Sequence, residues 1–287
     1  MKKILSLVML CLFLAANSFA AGMLQVKGSD TLINMVQKLA EDYMQANPGK
    51  MVSVTGGGSG TGISALINKK CDIADASRTM SNTEIKNALV NGVDAKRVII
   101  ALDGVAILVN GENPVKKLSV EELGKIYKGE VNNWKQVGGN DTPITLYGRQ
   151  SNSGTYSFIL EMVVKGEYAG TMRQMNGNSQ IVESVKSDIG GIGYVGAGYL
   201  KEATGVNVVE MAKKSGEKYY LPDSENVKTS KYPLSRPLNQ YVNGVPTGEA
   251  KEFITYELSA AGQKVVEEQG FFAITDEHKQ YNKALGL

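Results

Sequence analysis

The chain has 287 residues, 43% hydrophobic and 21% charged, which is enough apolar material for a packed fold and unlike the composition of a disordered chain. Its 31 Lys and Arg against 29 Asp and Glu leave a formal charge of +2, and Lys2 and Lys3 account for that surplus. With the remainder balanced and no run of basic residues, nucleic acid and anionic membrane surfaces are disfavoured as partners, because both rely on summed positive charge.

The first element in chain order is a Lys-Lys pair followed by an apolar run from Ile4 to Ala16, with the small residues Ser18 and Ala20 leading to Ala21. This pattern predicts a cleaved Sec-type signal peptide over residues 1–20 and a periplasmic mature protein. The run is shorter than the about 20 apolar residues a membrane span needs, and no later stretch approaches that length. Cys11 lies inside the run after the bulky Leu10, so a lipid anchor is not expected. Cys71 is then the only cysteine of the mature chain and is expected to be buried as a small hydrophobe. The roughly 265 residues that remain suffice for two domains of ordinary size.

Strand-like and helix-like segments then alternate. Leu24 to Val26 precedes apolar positions at helical spacing from Leu32 to Tyr43, stopped near Asn47-Pro48-Gly49. Met51 to Thr55 alternates as a strand does, and Ile63 to Lys70 resumes the helical pattern. Ser81 with Glu84, and Ser119 with Glu122, are capping boxes on either side of a long apolar strand, Val98 to Asn110, which Asp103-Gly104 is expected to interrupt. A second unit follows: strand 144–147, helices 156–165 and 179–186, and strand 191–195. Residues 213–231 are polar and turn-forming, 233–242 re-enter, and helices cover 248–270. The order predicts an α/β fold with two mixed-sheet domains joined by two hinge crossovers. Residues 21–103 and 232–287 would form domain I, and 104–231 an inserted domain II.

Four short segments place hydroxyl residues and glycines where a strand ends and a helix begins. They are Gly28-Ser29-Asp30-Thr31, the loop Gly56 to Gly62 with Ser59, Ala76-Ser77-Arg78-Thr79, and Gly148-Arg149 through Ser153-Gly154-Thr155. A helix start holds an anion through unpaired N–H groups and the positive end of its dipole, hydroxyls add donors, and a guanidinium meets two oxygens at once. Any one such segment is also an ordinary helix cap after a turn, and each arginine could serve a salt bridge. Four together, two of them with arginine, point to one shared anion.

The same residues resemble the periplasmic phosphate-binding proteins of ABC phosphate importers, a branch of the type II periplasmic-binding-protein fold. The resemblance is carried by Gly28 to Thr31, Gly58 to Gly62, Asp72 to Arg78, Arg149 to Thr155 and Gly193-Tyr194-Val195, and it covers nearly the whole mature chain. It implies a monomeric receptor for inorganic phosphate that delivers its ligand to membrane permease subunits. It also implies phosphate contacts from Ser29, Asp30, Thr31, Ser59, Arg149, Ser153, Gly154 and Thr155, and Ser77 and Arg78 join this candidate site. Some members carry at the position of Arg78 an aspartate that accepts the proton of monohydrogen phosphate. Asp30 is the best remaining candidate for that acceptor here and Asp75 a weaker one, and sulfate or another tetrahedral oxyanion is the alternative ligand.

An enzyme is not expected. Ile63 stands where a nucleotide P-loop needs lysine, Ser215-Gly-Glu-Lys218 lacks the companion motifs of penicillin-recognising enzymes, and the single histidine, His278, lies in a charged tail. A serine-type hydrolase would rest on that histidine. With Cys71 alone, no Cys/His metal cluster can form, and no metal or cofactor is expected.

Overall fold

The computed structural model describes residues 22–201 and 203–287. The signal-peptide reading and Cys11 therefore lie outside the described residues.

The strands are β1 (Leu24–Gly28), β2 (Val52–Thr55), β3 (Ile73–Ala76), β4 (Ala95–Asn110), β5 (Lys117–Ser119), β6 (Thr145–Arg149), β7 (Arg173–Met175), β8 (Gly191–Gly196), β9 (Val206–Val208), β10 (Glu210–Ala212) and β11 (Ser235–Asn243). Among the described residues they run side by side in the order β2-β1-β3-β11-β4-β8-β6-β7, with β9 on β4 and a separate pair β10-β5. β1, β2 and β3 are parallel to one another, as are β6, β7 and β8, while β11 and β4 run antiparallel to their neighbours. The result is the two-domain α/β architecture of a type II periplasmic binding protein, each half a mixed sheet covered by helices.

β4 belongs to both halves. Val98 and Ile100 pack into a core with Leu24, Val36, Leu39 and Phe253, while Val105, Ile107 and Val109 pack into another with Tyr127, Trp134 and Tyr194. A strand buried along nearly its whole length reads as continuous β-branched and apolar sequence because neither face meets water.

Asp103-Gly104 does not interrupt it. Asp103 is fully buried but accepts two bonds from Arg236, directly opposite on β11, so its charge is matched and the ladder continues. The two chain crossings lie side by side there, with the Val105 amide bonded to the Leu234 carbonyl and the Tyr232 hydroxyl to the Val105 carbonyl.

Both capping boxes form as expected, at Ser81 and Ser119. Other boundaries moved. The second helix runs Ser59–Ile67, four residues earlier than its apolar periodicity, because the hydroxyl loop itself forms the first turn. The helix expected over 156–165 starts at Gly154 and passes into a π-helical turn, Leu160–Val164, ended by the left-handed Lys165. The C-terminal helical stretch divides at Ser259, whose hydroxyl caps Ala260–Glu268. The polar 213–231 segment contains one short helix, Ser224–Lys228. Cys71 is buried, and burial pushes its thiol up to about 12. Among the described residues, no helix is long and apolar enough to cross a membrane.

Candidate functional site

All four hydroxyl-rich segments leave the carboxyl ends of parallel strands: Ser29 follows β1, Ser59 the loop after β2, Ser77 follows β3, and Ser153 the loop after β6. In open α/β sheets that edge is where ligands bind, because the helix starts that follow converge on it. The grammar of strand and helix thus brings together residues up to 126 positions apart, from Ser29 to Thr155.

The side chains meet. The Ser29 hydroxyl donates to the Ser77 hydroxyl at 3.0 Å, Ser59 and Ser77 lie 3.3 Å apart, and the Ser77 amide donates to Ser59 Oγ at 3.1 Å. Thr31 Oγ1 and Thr155 Oγ1 are 3.0 Å apart, which joins the two halves of the molecule. Ser29, Thr31, Ser59, Ser77, Ser153 and Thr155 are all buried, the most exposed at 3%. The Ser153 hydroxyl accepts from the amides of Thr155 and Tyr156, so it caps the helix that begins at Gly154.

Two glycines are required by this packing. Gly58 adopts φ +94°, where an L side chain is strained, and its amide bonds the Gly28 carbonyl, holding the loop after β2 against the end of β1. A Cβ at Gly154 would collide with the hydroxyl oxygens of both Ser59 and Ser77. The helix start of one half therefore approaches the hydroxyl cluster of the other as closely as backbone allows.

Arg149 is 1% exposed. Its Nη2 donates to Asp30 Oδ2 at 2.6 Å and to the Asn176 carbonyl at 2.8 Å, and its Nε to the Met175 carbonyl. Nη1 is buried without a partner. Asp30 is held from the other side, its Oδ1 accepting from the Gly57 amide at 2.6 Å and its carbonyl from Tyr199 Oη and Asn178 Nδ2. Asn152 adds a further link between the halves, its carbonyl accepting from Gly60 and its amide donating to the Gly57 carbonyl.

Arg78 is not brought to this cluster. Its two Nη atoms bond the two carboxylate oxygens of Glu84, each at 2.7 Å. Burial alone would raise the Glu84 carboxyl, but Arg78 and the Ser81 amide hold it below the usual carboxylate range. The capping-box glutamate captures the arginine because it stands one turn into the next helix with both oxygens turned back. Asp75, the weaker proton-acceptor candidate, turns into the core, where Gln240 Nε2 bridges it to Glu257. Burial pushes Asp75 up to about 7 and raises Glu257 well above its ordinary value.

Several residues of the site were missed from the sequence: Asp103, Arg236, Asn178, Tyr199 and Asn152. An isolated Asp inside the apolar run of β4 was the available signal, since a buried carboxylate implies a buried cation. His278 bonds Thr275 in the C-terminal helix and takes no part in the cluster, and Ser215 and Lys218 lie in an exposed loop. Among the described residues, no group of three or more His, Cys, Asp or Glu could hold a metal ion.

A lining of hydroxyls, helix-start amides and the unpartnered guanidinium nitrogens of Arg149 and Arg236, with the Asp30 and Asp103 carboxylates each paired to one of these arginines, suits a small acceptor-rich anion. The chain matches the PBP superfamily domain over residues 15–261 and belongs to that superfamily of binding proteins. It is 32% identical over 261 residues to the phosphate-binding protein PstS of Bacillus subtilis, covering 90% of this chain and 82% of that one. It is 30% identical to PstS of Borreliella burgdorferi, covering 96% and 99%. The structure of an ABC-type phosphate transport receptor from Vibrio cholerae superposes with a TM-score of 0.72 at 32% identity, covering 87% and 99%. That of a Clostridium perfringens protein with bound phosphate superposes with a TM-score of 0.80 at 27% identity, covering 88% and 100%. Within the superfamily, the chain belongs to the phosphate-binding proteins of the PstS family.

Proposed function

We propose that this chain is a periplasmic receptor that takes inorganic phosphate between its two domains and passes it to an ABC-type importer. The observation that carries this reading is the meeting of Ser29, Ser59, Ser77 and Thr31 with Gly154 and Thr155, beside the buried, unpartnered Nη1 of Arg149. Membership of a family of phosphate-binding transport proteins supports it from outside the geometry.

In this reading Ser29, Thr31, Ser59 and Ser77 donate from domain I, formed by 21–103 and 232–287. Arg149, Gly154 and Thr155 donate from domain II, 104–231, and Ser153 holds the start of their helix. Asp30 keeps the role of proton acceptor, since a carboxylate has about four lone-pair directions and only two are used, by Gly57 and Arg149. It also holds Arg149 in place before the anion arrives. The anion first meets one open domain, and hinge closure completes the donor set and expels water, strengthening each bond in the lower dielectric. The receptor acts as a monomer, is exported by a cleaved signal and performs no chemistry on its ligand.

Isothermal titration of the mature protein tests this. One-to-one binding of phosphate, with sulfate at least tenfold weaker, is the expected result. No heat at millimolar phosphate overturns the reading, and equal affinity for sulfate removes the proton-acceptor role of Asp30.

A further inference from the structure

A second buried arginine reaches the hydroxyl cluster from an unexpected place. Arg236 is the second residue of β11 and stands directly opposite Asp103 of β4, at the point where β4 leaves one half of the molecule for the other. Asp103 Oδ2 accepts from Arg236 Nε at 3.0 Å and Nη2 at 2.8 Å. Asp103 Oδ1 accepts from the Ala197 amide at 2.8 Å, just beyond the end of β8 in the other half. Arg236 Nη2 also donates to Thr155 Oγ1 at 3.0 Å. Its guanidinium lies 5.1 Å from the centre of the Phe158 ring, one turn further along the Thr155 helix, and Nη1 is buried and unpartnered. Burial lowers the Arg236 pKa, Asp103 opposes this, and repulsion from the Arg149 guanidinium adds to the lowering.

The hydrogen-bond inventory around Thr155 is restrictive. A guanidinium only donates, so the bond from Arg236 occupies a lone pair of Thr155 Oγ1 and none of the cluster's protons. Thr31 and Thr155 contribute two hydroxyl protons, and the single bond between them consumes one. One proton is left to point at a third acceptor. A hydroxyl that accepts from a cation is also a stronger donor, because successive bonds polarise one another.

We propose that the Asp103–Arg236 pair is a positioning device, which fixes the Thr155–Thr31 hydroxyl pair as the donor of one proton toward the anion and makes that donation depend on a closed hinge. The pair sits on the two strands that meet at the hinge, yet both of its outer bonds go to the inserted half, to Ala197 and Thr155. Opening the hinge breaks the Thr155 bond, and the hydroxyl loses the partner that fixes its direction. This proposal rests on phosphate as the ligand.

The test is a double-mutant cycle on the full mature chain with inorganic phosphate, read by titration calorimetry: Thr155→Val, Arg236→Lys and both together. Lysine keeps the charge but cannot hold Asp103 through two nitrogens and reach Thr155 as well. Each single variant is expected to lose at least tenfold in affinity, and the double variant no more than about twofold beyond Thr155→Val alone, because Arg236 acts through that hydroxyl. Thr155→Ser, which keeps the hydroxyl, should restore the Arg236→Lys sensitivity. Losses that multiply in the double variant, or wild-type affinity in Arg236→Lys, overturn the proposal. If Arg236→Lys does not fold, the uncharged Asp103→Asn/Arg236→Met pair replaces it in the cycle with the same expectations. Failure of the wild-type protein itself to bind phosphate refutes the parent reading, whereas intact wild-type binding with multiplying losses refutes only this one.

Discussion

The loops Ala76-Ser77-Arg78-Thr79 and Gly148-Arg149 to Thr155 look alike in composition, each placing arginine beside hydroxyls at the end of a parallel strand, but their arginines end in opposite surroundings. Ser77 enters the cluster while Arg78 turns to Glu84, with side-chain exposures of 16% and 22%. Arg149 turns inward to Asp30 and is 1% exposed. Short side chains go where the strand end aims them, because a hydroxyl has no reach beyond its own turn. A long guanidinium goes to the best acid within its radius, and for Arg78 that acid was supplied by the capping box of the next helix.

The largest expected effect tests the inward arginine. Arg149→Ala should weaken phosphate binding on the order of a hundredfold by titration calorimetry, since taking a charged, desolvated hydrogen-bond partner from a ligand costs about 2–5 kcal/mol of binding. An unchanged affinity would remove Arg149 from the site.

Next comes Asp75, two residues before Arg78's neighbour Ser77 but turned into the core. Its folded pKa of about 7 lies above its ordinary 3.8, so between those values the folded chain holds a proton that the unfolded chain has released. The contribution of Asp75 to stability is therefore full below about pH 4 and falls as pH rises toward 7, by up to about 1.4 kcal/mol per pH unit for one proton. Glu257, raised in the same way, adds to the loss. Urea unfolding at pH 5 and pH 7 should show the decline, and Asp75→Asn should flatten it by about one proton. An equal slope in both proteins would mean that Asp75 ionises freely in the fold.

Gly154→Ala sharpens the contrast from the second loop. The added methyl meets Ser59 and Ser77, and overpacking of about 1–2 kcal/mol should lower phosphate affinity about tenfold while each half stays folded. Wild-type affinity would show that the two halves have room to spare there. The smallest effect is reserved for Arg78→Ala, with a change in affinity below twofold and a loss of about 1 kcal/mol in thermal stability. A tenfold loss of affinity would return Arg78 to the site.

Much of the fold could be read in advance because its signals are local: apolar periodicity, two capping boxes, and hydroxyls placed between strand and helix. The cluster of Ser29, Ser59, Ser77 and Thr155 followed from that grammar, since parallel strands deliver their loops to one edge. What escaped was set by partners distant in the chain. Asp103 looked like a break in β4 because its counter-charge, Arg236, lies 133 residues away. Asn178 and Tyr199 reach Asp30 through its backbone carbonyl, which leaves no trace in composition. The strands β5, β7, β9 and β10 have three residues each, too few for any alternation to register.

β4 and β11 are hydrogen-bonded along nine paired positions, with one register shift between Leu238 and Asn239, right up to where both chain crossings occur. A joint made this way behaves as a ribbon spring. Its bending is spread over neighbouring ladder bonds, so the angle between the halves has a preferred value and a restoring torque, and no single peptide serves as an axle. Substitutions along the ribbon other than at Asp103 and Arg236 should then tune how far and how fast the jaws move by small degrees, offering graded control over ligand residence time without altering one atom that touches the anion.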